Sequence, residues 1–171
     1  NTYIIMKSIL KSIDWKNIFL NINLYILINF VVGLENILLS PLDDHAWRQT
    51  LTISMARNYL EFPNFFFPRI DNCTNTEGII ASEFPFYQYI LFIFYKIFGY
   101  QDWYGRLLNW VLSSIMLFYF YDIVKRISNK NIAFYSTIVI MSSIIFQFAR
   151  KSMPDAFSMS FIMFGVWFVF Q

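Results

Sequence analysis

The chain has 171 residues, of which 57% are hydrophobic, 22% aromatic and only 14% charged, and its mean hydropathy is +0.47. An ordinary soluble domain carries about 25% charged residues, so this chain has too little charge to cover a soluble globule and too many Phe and Tyr to stay disordered. A net charge of +2 does not mark a nucleic-acid binder, and a single Cys (Cys73) excludes an intrachain disulfide or a cysteine-based zinc site.

In chain order, Lys7, Lys11 and Lys16 precede an apolar run interrupted by Asn21, Asn23 and Asn29. The run approaches the length of a membrane span, and residues 18–36 are read as the first one. The three asparagines are expected to face other helices, where their amides find partners. Residues 37–106 form a long outer segment. From Glu35 to Glu83 seven acidic side chains stand against Arg48, Arg57 and Arg69, with Pro41, Pro63 and Pro68 dividing the segment. A segment this long between apolar runs points to function. Residues 47–59 predict a short helix on the membrane surface. Residues 84–99 predict another, with Gln88, Tyr95 and Lys96 on one polar stripe and Tyr87 at its edge. A helix of that kind suits the interface plane. Residues 107–124, 131–148 and 156–171 read as three more spans, the last cut short by the chain end, with 149–155 a second outer loop. The expected fold is therefore all-α: a polytopic membrane protein of about four transmembrane helices, with interfacial helices in the first outer loop.

The lysines at 7, 11 and 16 place the N-terminus inside. The acidic segment is then outside. With 84–99 in the interface, Lys125, Arg126 and Lys130 fall inside, and Asp43, Asp44, Glu83 and Asp155 share the outer face. A spanning 84–99 would swap the last two loops. Charge density favours the interfacial arrangement.

Polar residues gather in four places. Pro41-Leu42-Asp43-Asp44-His45-Ala46-Trp47-Arg48-Gln49 follows the first span. A carboxylate there can serve as a general base, or Asp43 or Asp44 can simply cap the next helix. Phe67-Pro68-Arg69-Ile70-Asp71 offers a guanidinium for phosphate, or a local ion pair. Glu83-Phe84-Pro85 and Met153-Pro154-Asp155, the latter preceded by Arg150 and Lys151, look like helix starts. Each bland reading wins singly. Together, acids and bases recur near helix ends on one face.

Asp43-Asp44-His45-Ala46-Trp47-Arg48-Gln49, Ala56-Arg57-Asn58, Pro68-Arg69-Ile70-Asp71, Glu83-Phe84-Pro85-Phe86-Tyr87-Gln88-Tyr89, Phe98-Gly99, Gly105-Arg106-Leu107-Leu108 and Met153-Pro154-Asp155 together resemble bacterial membrane glycosyltransferases of the GT-C fold. These are related to protein O-mannosyltransferases and the lipid A aminoarabinose transferase. The resemblance runs from about Asp43 to Asp155. It implies many membrane helices, a first extracytoplasmic loop with interfacial helices, and a chain that is the N-terminal portion of a longer enzyme, inactive by itself. It implies inverting transfer from a polyprenyl-phosphate-linked sugar to a hydroxyl on a lipid, glycan or protein acceptor, at the outer face of a bacterial plasma membrane. By the same resemblance Asp43 is the base, Asp44 its alternate and Asp155 a second catalytic acid. His45, Trp47, Arg48, Arg69, Asp71, Glu83 and Arg106 are substrate-binding candidates, with the three arginines offered to the lipid phosphate. No cofactor is expected, and dependence on a divalent metal stays open. In the aminoarabinose transferases a Lys follows the residue matching Glu83, but here Phe84 stands in that place, so another cation must substitute or the phosphate sits differently.

Two readings of other classes compete. A lipid or solute transporter predicts charges at mid-span and a broken-helix repeat, and neither is present. A non-catalytic membrane scaffold predicts that Asp43, Asp155 and Arg69 are scattered in space.

Overall fold

The computed structural model describes residues 21–71, 77–80 and 83–171. The N-terminal lysines, the start of the first expected span and Cys73 lie outside the described residues. The described elements are α1 (Ile22–Gly33), α2 (Ala46–Asn58), α3 (Phe86–Phe98), α4 (Tyr104–Ile127), α5 (Lys130–Met141), α6 (Ile144–Gln147), a 3-10 turn (Phe148–Arg150) and α7 (Pro154–Val169). Among the described residues the only strand-like feature is one isolated antiparallel bridge between Arg69 and Ile79. The fold is all-helical, as expected.

Local chemistry sets the ends. The Asn21 side chain accepts from Asn23 N at 3.1 Å and caps α1, and Asn129 caps α5 by accepting from Asn131 N and Ile132 N. Lys125 and Arg126 occupy the last turn of α4, where cations suit the helix dipole. Gly99 ends α3 with φ +83°. Pro154 opens α7 with Asp155 in its first turn.

At about 1.5 Å per residue, the 24 residues of α4 match a hydrocarbon core about 30 Å thick. Helix α4 alone among the described helices is long and apolar enough to cross a membrane. Helices α1, α3 and α7 are apolar but shorter. The expected span 131–148 is not one helix. Ser143 Oγ donates to Ile140 O at 2.7 Å and accepts from Phe146 N at 3.3 Å, so the hydroxyl ends one helix and starts the next. A hydropathy reading sees only the continuous apolar run.

Helix α4 is the axis on which α7, α5 and α1 pack, while α2 packs on α3. One core joins Ile22, Ile26, Trp110, Leu117 and Phe134; a second joins Ala56, Tyr87, Leu91, Tyr95 and Phe157. The axis keeps polar groups inside: Arg106, Asn109, Ser113 and Ser114 are all buried, at offsets that share one helical face. Close approach depends on small residues. A Cβ on Gly33 would stand 2.0 Å from the Trp110 ring, and one on Gly105 would stand 2.8 Å from Ser152 Oγ and 2.9 Å from the Tyr87 hydroxyl.

Two surface expectations change. Helix α3 turns most of its polar stripe inward: Tyr87, Gln88 and Tyr95 are buried, while Lys96 is exposed along with Phe86, Ile93, Ile97 and Phe98. Three of its polar groups thus face protein beside the buried Leu91 and Phe92, while part of its apolar surface faces out. Of the three asparagines, Asn21 is a cap and Asn23 is exposed; only the Asn29 amide nitrogen is buried, with no partner among the described residues. Helices α1 and α7 also present exposed apolar faces, including Val31, Val32, Phe161 and Ile162.

Candidate active site

The chain between α1 and α2 reverses at His45, which takes left-handed backbone angles (φ 62°, ψ 30°) and precedes α2 without a side-chain cap. Neither Asp43 nor Asp44 caps the helix, so the bland alternative for this pair fails. Asp43 instead reaches across the molecule. Arg106 donates to its Oδ1 at 2.9 Å, Gln49 Nε2 donates to Oδ1 at 2.7 Å, and Lys151 Nζ donates to Oδ2. Two segments distant in sequence thus join the start of α2 on one carboxylate.

Arg106 is 2% exposed and also donates to the carbonyls of Asn36 at 3.3 Å and Ser40 at 3.1 Å. It pins the segment that carries Asp43. Gln49 is fully buried and joins the rest: Nε2 also donates to Asp44 O at 3.0 Å, and Oε1 accepts from Ser152 N at 3.2 Å. Asn109 Nδ2 donates to the carbonyls of Lys151 and Met153, each at 2.7 Å, holding the second loop against α4. Burial raises the Asp43 pKa. The hydrogen bonds from Lys151 and Gln49, with the positive charges of Arg106 and Lys151, outweigh that and hold the carboxyl below its ordinary 3.8. Asp43 is therefore ionised at neutral pH.

Beside this network lies a second. Arg48 on α2 pairs with Glu83 at 3.4 Å and with Asp155 at 3.2 Å, and Gln88 Nε2 donates to Glu83 at 2.8 Å. Asp155 thus stands at the start of α7 and in an ion pair with α2 at once. Arg48, Asp155 and His45 form the polar edge of a cavity of about 370 Å³ whose interior is apolar, with Met116, Phe120, Phe146, Met159 and Met163 among its walls. The break between α5 and α6 supplies one wall, through Ile140 and Ser143, with Phe148 of the 3-10 turn beside it. The His45 ring stands edge-on to Phe148, 5.0 Å between centroids. On the other side, Asp43, Arg106, Arg150 and Lys151 line a separate hollow of about 140 Å³.

The structure therefore joins Asp43 to Arg106 in one network and Arg48 to Glu83 and Asp155 in another, with His45 at the rim of the apolar cavity. It does not bring in the others. The Asp44 side chain is exposed and makes no hydrogen bond among the described residues; its backbone carbonyl is what Gln49 uses. Trp47 is 76% exposed. Arg69 lies over the Phe62 ring at 4.2 Å and pairs with Glu77. Asp71 accepts from Ser54, Arg57 and Asn58, binding its loop to the end of α2. Sequence reasoning missed Gln49, Asn109 and Lys151 as site residues. Gln49 stood inside a quoted motif and Lys151 just before another, and the inward polar face of α4 would have signalled Asn109. Among the described residues no group of three or more His, Cys, Asp or Glu side chains gathers as a metal cage.

Residues 82–171 match the family model for dolichyl-phosphate-mannose-protein mannosyltransferase. The matched stretch holds Glu83, Arg106, Lys151 and Asp155, and begins after Asp43 and Arg48. No curated protein and no solved structure matches the chain.

Proposed function

From the premise that the chain belongs to the dolichyl-phosphate-mannose-protein mannosyltransferase family, a glycosyltransferase family, we propose that it transfers a sugar from a polyprenyl-phosphate donor to an acceptor hydroxyl with inversion at the anomeric carbon. The observation that carries the reading is the pairing of Asp43 with Arg106 and of Arg48 with Asp155, partners far apart in sequence, at two hollows of opposite character. The apolar cavity with Arg48 at its edge suits a lipid phosphate. The tail lies against methionine and phenylalanine, and the phosphate meets the guanidinium. Arg48 is tied to Glu83, next to Phe84, so it brings a cation to the place where the aminoarabinose transferases have Lys. Arg69, in a different part of the first loop, is not part of this arrangement.

The acceptor oxygen attacks the anomeric carbon as the bond from that carbon to the phosphate oxygen breaks. The acceptor proton passes to Asp43, and polyprenyl phosphate leaves with the electron pair. Charge develops on the leaving phosphate, where Arg48 stabilises it most. Asp155 holds Arg48 in place and can orient the sugar. Asp43 serves as base because it is ionised and kept in one orientation by three donors. Asp44 is the poorer choice, its side chain standing outside the network. A donor already activated on a lipid needs no organic cofactor.

The exposed apolar faces of α1, α3 and α7 support a bilayer setting, with α4 spanning and the shorter helices packed on it, in a bacterial plasma membrane with the site at its outer face. The test is transfer by the full-length protein in membranes from radiolabelled polyprenyl-phosphate mannose. Labelled product that is lost in Arg48→Gln supports the reading. Equal labelling from a nucleotide sugar in membranes free of polyprenyl phosphate would overturn it.

A further inference from the structure

The hollow behind Asp43 has a charge that the donor does not need. Its walls include Arg106, Arg150 and Lys151 against the single carboxylate of Asp43. Arg106 is 2% exposed, and its Nε is buried without a hydrogen-bond partner among the described residues. Arg150 donates to Gln147 Oε1 and lies 5.9 Å from the centroid of the Trp110 ring, so no carboxylate neutralises it among the described residues. The Lys151 side chain is 14% exposed. Three cations facing one acid leave a surplus of two positive charges in a space of about 140 Å³. At roughly 30 Å³ per water molecule, that is room for one small anionic group. Guanidinium pairs hold phosphate well, and a dianionic phosphate matches the surplus.

Resting on the proposed transfer reaction, we infer that this hollow is the acceptor subsite and that the acceptor carries a phosphate group close to the hydroxyl that is glycosylated. The division of labour follows from the walls. Arg48 and Asp155 edge the apolar cavity but not the hollow, whereas Asp43 lines the hollow but not the cavity. A base must touch the acceptor, and the candidate base lies on the cationic side. The phosphate sits against Arg150 and Lys151, and the neutral hydroxyl is left for Asp43. A peptide hydroxyl without a nearby anion would leave the surplus charge unmatched.

Two readouts on the detergent-solubilised full-length protein test this, and the first needs no catalysis. Binding of methyl phosphate, acetate and a short-chain polyprenyl phosphate is measured for wild type, Arg150→Gln and Arg48→Gln. Arg150→Gln is chosen because it leaves the three donors on Asp43 in place. Loss of one charge-assisted contact is expected to weaken methyl phosphate about tenfold in Arg150→Gln and not in Arg48→Gln, with the reverse for polyprenyl phosphate, and wild type is expected to bind acetate more weakly than methyl phosphate. If polyprenyl phosphate follows Arg150, the hollow belongs to the donor and the inference falls. Equal binding of acetate, or no binding of methyl phosphate, also overturns it. The second readout is transfer to paired acceptors that differ only in a phosphate beside the hydroxyl. The phosphorylated acceptor is expected to have the lower KM, and Arg150→Gln to erase the difference without changing the donor KM. A preference for the neutral acceptor overturns the inference while leaving the transferase reading intact. Absence of transfer to either acceptor, with methyl phosphate still bound through Arg150, overturns the transferase reading and with it the acceptor role, leaving only a phosphate site.

Discussion

Asp43 and Asp71 each accept from an arginine and from a side-chain amide, yet they belong to different kinds of region. The donors to Asp71 come from Ser54, Arg57 and Asn58, within 17 residues of it, and the Arg57 and Asp71 side chains are 49% and 44% exposed. Two of the donors to Asp43 come from 63 and 108 residues away, and the Arg106 side chain is 3% exposed. One cluster fastens a loop to the helix beside it. The other closes α4, the start of α2 and the second loop around a carboxylate that borders a hollow. Hydrogen-bond count does not separate a fastening from a site; burial of the partner and the distance the chain travels to supply it do.

The sharpest way to break the comparison is to remove the arginines. Arg106→Leu strips Asp43 of a buried partner and frees the carbonyls of Asn36 and Ser40, a loss of about 1–3 kcal/mol, since the Asp43 side chain is itself 43% exposed and keeps Lys151 and Gln49. Arg57→Leu breaks an exposed pair worth about 0–1 kcal/mol. Thermal unfolding of the full-length protein in detergent should show a large drop for the first and little for the second; equal drops would erase the distinction. Gly105→Ala comes next. Its Cβ must push on Ser152 Oγ and the Tyr87 hydroxyl, and overpacking of this kind costs about 1–3 kcal/mol. The same melt checks it, and an unchanged midpoint would mean that α4 and the second loop are not packed as closely as described.

A smaller effect is read from pH. The Asp43 pKa in the folded protein lies below its ordinary 3.8, so folding stabilises the ionised form. The contribution is therefore present above the ordinary value and is lost as the pH falls through the depressed one. Wild type should lose stability in that acid window, and Asp43→Asn should lose less there. Matching acid profiles would contradict the ion network. The smallest effect belongs to Arg69→Gln, whose Phe62 and Glu77 contacts lie in the first loop. Transfer should stay within about twofold of wild type, as for a surface substitution, and a collapse of transfer would return Arg69 to the site.

Much of this was legible in the sequence, for physical reasons. The helix at 46–58 follows from a stretch free of breakers and that at 86–98 from an apolar run, and α7 starts where Pro154 and Asp155 say it should. The first motif held Asp43 and Arg48, and Met153-Pro154-Asp155 held the residue Arg48 pairs with. What hydropathy could not show is direction. Gln88 and Tyr95 share a stripe in any environment, and only packing on α2 and α4 turns it inward. Ser142-Ser143 adds little polarity to the run 131–148, so the break was hidden in a side-chain hydrogen bond. Arg69 and Asp71 looked equivalent to Arg48 and Asp43 because motif spacing does not reveal which partners the fold delivers. Gln49 was missed because its role is to be surrounded, a property no residue has alone.

The central claim is that the carboxylate at the convergence of Arg106, Gln49 and Lys151 takes the acceptor proton. The most direct measurement is the initial rate of sugar transfer from a polyprenyl-phosphate donor by the full-length protein carrying Asp43→Asn, beside Asp71→Asn, at equal folded amounts. Loss of a general base predicts a fall of about 10²–10⁴-fold for Asp43→Asn, with Asp71→Asn close to wild type. Full transfer by Asp43→Asn, or an equal loss in both variants, would contradict it.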